Sequence, residues 1–411
     1  MNYSKSILIF FLLVFSTLTL FSQSLLIAAK EKGKKYGYIN EQGGYVIAPT
    51  FDEAGGFYQG IAVVKKDKKF GIINAKGEFL VNPIYDDASI YAPEGKVSVM
   101  KAGKWGVIDR SGKIIIPLSY DYISVFANGY VVAGKYITQK GYKGMVCPTV
   151  LNEKNEVVFQ VGQAKKEDGQ SWVEYECTQL FLPGYAEKKS NGYSAGWPIV
   201  REGKLILKES MEGGPQYANF KVLDVLTGKS LSFPQGMQPS DDSFGIRAGT
   251  IAMEIPEDRR EELGDFAIGG FYDTANLNGE YLVNPLFNFA GQKVHPFFNG
   301  VAAVEKDDKW IFIDRDGEVI SETQLSTKEY DATPPMYFNG LTAFWKNGKA
   351  GYVDITGKEI IPFTLEEYHP FEYDITPVKQ NGLYGLIRKD GTWAVSPKFE
   401  YLLISPCPCY Q

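Results

Sequence analysis

Few residues in this sequence have the types and spacing that chemistry needs. Cys407-Pro408-Cys409 supplies half of a thiolate metal site. Structural zinc takes two spaced ligand pairs, and the only imidazoles are His295 and His369, so no metal site is expected. Asp314-Arg315-Asp316-Gly317-Glu318 resembles part of a calcium loop, but it lacks the later ligands and the closing bidentate glutamate, and a hairpin turn accounts for it. The sequence has no phosphate-cradling loop, and only His295 and His369 could serve as imidazole bases. Paired carboxylates for glycoside hydrolysis remain open as an alternative, because 49 acidic residues always offer pairs. No catalytic residue and no cofactor is therefore assigned. One stretch interleaves basic and aromatic side chains, from Lys135-Tyr136 to Lys140-Gly141-Tyr142-Lys143. It suits an acidic or sugar ligand, which makes Tyr136 and Tyr142 the binding candidates.

The elements that must position such residues come from a recurring cassette. It reads aromatic-Gly, two apolar residues, Asn or Asp, a turn ending in Gly, an apolar run, Pro, then aromatic-acid. The clearest copy runs from Trp105-Gly106-Val107-Ile108-Asp109 through Gly112, Ile114-Ile115-Ile116-Pro117 and Tyr120-Asp121. Earlier copies open at Tyr36-Gly37 and Phe70-Gly71, so the glycines lie 34 and 35 residues apart and Pro49, Pro83 and Pro117 lie 34 apart. Later copies open near Gly270, at Trp310 with Ile311 in the glycine slot, at Gly351 and at Tyr384-Gly385. A fixed period of this size predicts a repeat architecture in which each unit buries its apolar face against the next.

Read physically, each unit is a meander of three antiparallel strands. Alternation puts Trp105 and Val107 on one face and Ile108 on the other. Gly106 leaves a hole for a neighbouring aromatic ring to cover. Ile114–Ile116 reads as a return strand buried on both faces and ended by Pro117. The acid after Tyr120 is expected to bond its own backbone two residues on. The strand before each aromatic-Gly is Ile61–Val64, Val97–Met100, Val301–Val304 or Leu341–Phe344. The fold class is an all-β tandem array, superhelical or, alternatively, closed as a propeller-like ring.

These motifs resemble the WG-repeat family, whose Trp-Gly pair is intact at Trp105-Gly106. Tyr36, Phe70 and Tyr384 depart from it in the Trp slot, and Ala350 replaces the aromatic. Gly37, Gly71, Trp105, Gly106, Gly351 and Gly385 carry the structural signature. The resemblance implies a bacterial β-structured protein, often exported, and it carries no shared catalytic residues.

Composition is that of a folded protein, with 44% hydrophobic and 22% charged residues. A net charge of −6 gives no basic footprint, so nucleic acid is not an expected partner. Residues 1–24 read as a signal peptide, with Lys5 ahead of an apolar run and Ser22-Gln23-Ser24 at the cleavage position. Residues 25–133 and 268–411 hold regular repeats, the latter with a C-terminal tail. The pattern decays over 134–267, where Pro256–Leu263 reads as a helical turn. Cys147 and Cys177 both lie there and are the favoured disulfide among three possible pairings.

The expectation is an exported, periplasmic or extracellular, non-catalytic scaffold. Its partner would be a protein or glycan of the cell envelope, with no membrane span left after signal cleavage. The alternatives are an envelope assembly component and a carbohydrate-active enzyme. N-terminal sequencing of exported protein should find Leu25 first; retention of Met1 in the membrane fraction would overturn the signal assignment.

Overall fold

The computed structural model describes residues 25–139, 142–145, 149–160, 298–331 and 337–404, with short strands between 160 and 298. The described elements are all β, in small antiparallel sheets. One unit shows how the cassette builds them. Strand Ile61–Lys66 turns through Asp67 and Lys68 into Lys69–Asn74, both turn residues having positive φ (50° and 67°). Two such residues give the hairpin whose twist matches its strands. Asn74 then folds the next turn, its side-chain oxygen accepting the amides of Lys76 (2.9 Å) and Glu78 (3.0 Å). Asp109, Asn152, Asp314 and Asp354 do the same in their own units. The recurring Asn or Asp is a turn-former, and Asp314 spends its Oδ1 on the amides of Asp316 and Glu318.

The return strand differs from expectation in three ways. It does not end at proline: Tyr45–Phe51, Phe79–Tyr85, Ile114–Tyr120 and Glu359–Leu365 run straight through Pro49, Pro83, Pro117 and Pro362. Each is a sheet edge on its own side, where a missing N–H costs no ladder bond. Nor is it buried on both faces, for Ile116 is fully buried while Ile114 is 55% exposed. The hole at the cassette glycine is filled by backbone. Opposite Gly106 the register shifts, and a Cβ there would stand 2.5 Å from the Ile116 carbonyl oxygen and 2.8 Å from the Leu118 nitrogen. Gly37 and Gly71 meet the bulged strand in the same way, at 2.6 Å from Ile47 O and Val81 O respectively. An aromatic ring takes the glycine space at Gly134 instead, under Tyr122.

Past its aromatic residue the return strand bends and continues into the following sheet. Glu53–Ala54, Asp87–Ala88 and Tyr122–Ile123 pair with the next unit's first long strand, so these three meanders each gain a short fourth strand from the unit before. The two apolar residues after each glycine serve different cores. Val107 packs with Ile123, Phe126 and Val131 of the following unit, whereas Ile108 packs with Phe70, Ile72 and Val81 of the preceding one. Ile72 and Ile73, Tyr352 and Val353, and Leu386 and Ile387 divide in the same sense.

This rule also joins the two ends of the chain. Leu386 packs on Ile27, Ala29 and Ile39, and Trp393–Leu403 pairs with Leu383–Arg388 on one side and Ile27–Glu31 on the other. The last strand thereby supplies the first unit's missing fourth strand. Such pairing belongs to the ring alternative, since an open superhelix keeps its terminal units apart. The Pro256–Leu263 turn lies outside the described residues.

Replacing Gly106 by Val should cost about 2–4 kcal/mol, because the added atoms meet backbone that cannot rotate away. Asp109→Asn, which keeps the accepting oxygen, should cost less than about 1 kcal/mol. Thermal denaturation of both variants checks the order; a Gly106→Val variant melting with wild type would refute the close approach.

Candidate functional site

The cassette's acids are held within the scaffold. Asp86 accepts the Ala102 amide at the tip of the next hairpin (2.7 Å) and pairs with Lys69 of its own unit. Asp52 accepts from Lys68 N (3.3 Å) and pairs with Lys35 (2.8 Å), and Glu366 accepts from Gly382 N (2.8 Å) and pairs with Lys349 (3.4 Å). The acid therefore bonds across units, not to its own backbone as expected. These bonds hold the Asp52, Asp86 and Glu366 carboxyls below their ordinary range: Lys35 leads for Asp52, Lys69 for Asp86 and the Gly382 amide for Glu366. Exposed pairs of this kind add little to stability. They leave the regular acids already engaged.

Departures from regularity are the candidate sites. Tyr136 and Tyr142 fall on one hairpin, Tyr136–Gln139 paired with Tyr142–Met145. It is inserted where other units have a two-residue turn, because the flanking strands Tyr130–Gly134 and Thr149–Asn152 pair directly with each other. Cys147, Cys177, Cys407, Cys409 and His295 lie outside the described residues. Among the described residues no three His, Cys, Asp or Glu side chains gather as a metal site, and no helix is long and apolar enough to cross a membrane.

A second departure was missed by sequence reading. Before four of the first long strands comes a tight tip: Tyr58-Gln59-Gly60, Ala127-Asn128-Gly129, Phe298-Asn299-Gly300 and Phe338-Asn339-Gly340. The last two residues of each tip have positive φ, and the first is buried. In the last unit the same place reads Glu372-Tyr373-Asp374, so a carboxylate occupies a slot that Tyr58, Ala127, Phe298 and Phe338 fill elsewhere. Comparing the tips side by side was the available signal.

Glu372 sits in a tyrosine-rich setting. Its Oε2 is sealed from solvent without a hydrogen-bond partner, and so is the hydroxyl of Tyr58, a residue only 6% exposed. Burial raises the Glu372 carboxyl from its ordinary value near 4.5 to about 8. Burial also raises the Tyr58 hydroxyl, reinforced by the nearby Tyr91, Glu372, Tyr373 and Tyr401. Tyr58 meets Tyr91 edge to face at 5.1 Å. Asn339 of the preceding unit fastens the tip, donating to the carbonyls of Phe371 (2.7 Å) and Glu372 (3.0 Å). On the other side of Tyr58, a cavity of about 130 Å³ is lined by Gln59, Pro93, Glu94, Ala127 and Asn128.

Comparison with known sequences places the cassette. The pattern of the WG containing repeat matches residues 36–70, 70–105, 105–136, 275–310 and 351–384. The chain carries WG repeats. The first two matches begin on one cassette aromatic and end on the next, so a WG repeat spans the end of one sheet and the start of another, and the third ends at Tyr136. Glu372 lies inside the repeat matched over 351–384.

No curated protein matches the chain. Among solved structures it is similar to a eukaryotic initiation factor (14% identity, TM-score 0.38, covering 93% of this chain and 97% of that one). It is also similar to apo AztD from Citrobacter koseri (8%, 0.34, 92% and 97%) and to an acylaminoacyl peptidase from Pyrococcus horikoshii (11%, 0.33, 85% and 52%). Likeness at this level carries no functional argument.

The raised Glu372 pKa sets a pH signature. Above about 4.5 the unfolded chain loses this proton while the folded chain keeps it until about 8, so the group's contribution to stability falls across that window as pH rises. Glu372→Gln should therefore melt close to wild type at pH 4 and above it at pH 9. Parallel melting curves at the two pH values check this.

Proposed function

We propose that this WG-repeat protein is an exported, non-catalytic scaffold that binds a protein or glycan partner of the cell envelope through the inserted hairpin at 136–145. The observation that supports the reading is the replacement of a two-residue turn by a paired hairpin in an otherwise regular unit. Regular cassettes spend their acids, turn-formers and aromatics on contacts within the array. An inserted loop on a rigid scaffold is where recognition concentrates. Its basic and aromatic residues, Lys135, Tyr136, Lys140, Tyr142 and Lys143, suit an acidic or sugar surface.

The second reading, an envelope assembly component, draws on a different feature. Return strands of successive units expose apolar side chains, with Val46 51%, Leu80 43%, Ile114 55% and Val157 62% exposed. Such a stripe suits a protein surface more than a glycan.

A glycan and peptide binding screen of the mature protein identifies the partner class. Tyr136→Ala and Tyr142→Ala should then weaken binding about tenfold each without moving the melting temperature. Normal binding by both variants, with loss on changing Trp310 or Tyr352, would move the site onto the array and overturn the proposal.

A further inference from the structure

The tip of the last WG repeat offers a ligand site separate from the hairpin. Its polar groups are one carboxyl and three phenol hydroxyls. Glu372 makes no ion pair among the described residues, and its Oε2 and the Tyr58 hydroxyl lack partners although both are buried. The neighbouring donor, the Asn339 amide, is already spent on two backbone carbonyls. Tyr91 packs edge-on against Tyr58, and Tyr373, 40% exposed, gives the cluster its outlet to solvent. On the same tip, Asp374 pairs with Lys389 of the next hairpin at 3.0 Å. On the Tyr58 side, Arg110 is directed to the Gln59 amide oxygen at 3.4 Å.

An anion gains no charge partner here, and ionisation of the Glu372 carboxyl would repel it. A neutral sugar could use the phenol hydroxyls but would gain nothing from ionisation of the Glu372 carboxyl. A hard metal ion needs several oxygen ligands, and no group of three carboxylates or imidazoles gathers here. A carboxylate among tyrosine rings suits an organic cation, which gains both a charge partner and ring faces.

We propose that Glu372, with Tyr58, Tyr91 and Tyr373, binds a primary ammonium group, the lysine side chain of a partner protein. The site goes beyond the hairpin reading and stands or falls separately from it. The free site holds a proton on Glu372 at neutral pH, and an entering ammonium ion displaces it to solvent, conserving charge at the site. Affinity therefore rises with pH through the range in which Glu372 ionises, while a lysine-like amine, with a pKa of about 10.4, stays charged.

The test titrates the full mature chain with butylammonium chloride at pH 6.5 and 8.5, following binding by calorimetry in two buffers of different ionisation heat. Binding about tenfold tighter at the higher pH, with proton release at the lower, is expected. Glu372→Gln should bind about tenfold more weakly at pH 8.5 and lose the pH dependence. Tyr373→Ala, at an exposed position, should weaken binding without affecting folding, which keeps the test decisive if Glu372→Gln folds poorly. Tyr136→Ala should leave amine binding unchanged, separating this site from the hairpin. Absence of saturable amine binding, equal affinity at both pH values, or binding that Glu372→Gln and Tyr373→Ala leave intact would overturn the proposal. So would preferential binding of neutral cellobiose that survives Glu372→Gln.

Discussion

The array depends on how closely one backbone passes another at the cassette glycines. Carbonyl oxygens of the return strand stand 2.5–2.8 Å from where a Cβ would be at Gly37, Gly71, Gly106, Gly351 and Gly385. That approach accommodates the bulge, and the strand beyond it bends out of its own sheet into the next. Without the bend, a unit would have no direct way to hand its chain to its neighbour. Proline sits at the same bulge, where neither a missing donor nor a fixed φ conflicts with the geometry. The last unit before the Gly351 repeat shows the constraint from the other side. With Ile311 in the glycine slot, the ladder pairs Ile311 with Glu322, and Thr323 fastens the strand through its hydroxyl to the Trp310 carbonyl (2.7 Å).

From this handover follows the division of labour along each strand. Adjacent residues point to opposite faces, and the two faces belong to different inter-unit cores. Turn glycines repeat the connection at the surface: Gly77 rests on Ile47 and Gly112 on Val81, each in the preceding unit. Unit and core are thus out of phase, and among the described residues each core is shared by two units. Stability is then carried by interfaces between neighbours, as in other quasi-one-dimensional proteins.

Most of this order was legible in the sequence, because spacing reports it directly. The alternation in Trp105–Asp109 gave the two faces, and the recurring Asn or Asp gave the turn. Three features were not legible. Proline was read as a stop because a single strand's rules do not reveal that the strand is an edge with a bulge. Glycine was read as a hole for a ring because the nearer filler, a neighbouring carbonyl, has no side-chain signature. Glu372 was overlooked because it lies in a short tip whose slot is defined only by its counterparts Tyr58, Ala127, Phe298 and Phe338. The aligned departure, not the acid itself, is informative there. The basic-aromatic stretch at Tyr136 and Tyr142 stood out in the sequence, and its hairpin insertion adds position to what composition already offered.

The junction of the chain ends has a consequence for how such an array changes length. Tyr384–Leu403 and Ile27–Tyr36 together make up a single repeat, divided between the two ends of the polypeptide. Gly43 against Val395 seals the same seam. A solenoid with free ends gains or loses terminal repeats at little cost. Here an extra repeat appended at either end would separate the two halves and leave Ile27 and Leu386 without their shared core. The same seam means that linking Leu403 to Ile27 would turn the divided repeat into a continuous one without disturbing the core that Ile27 and Leu386 share.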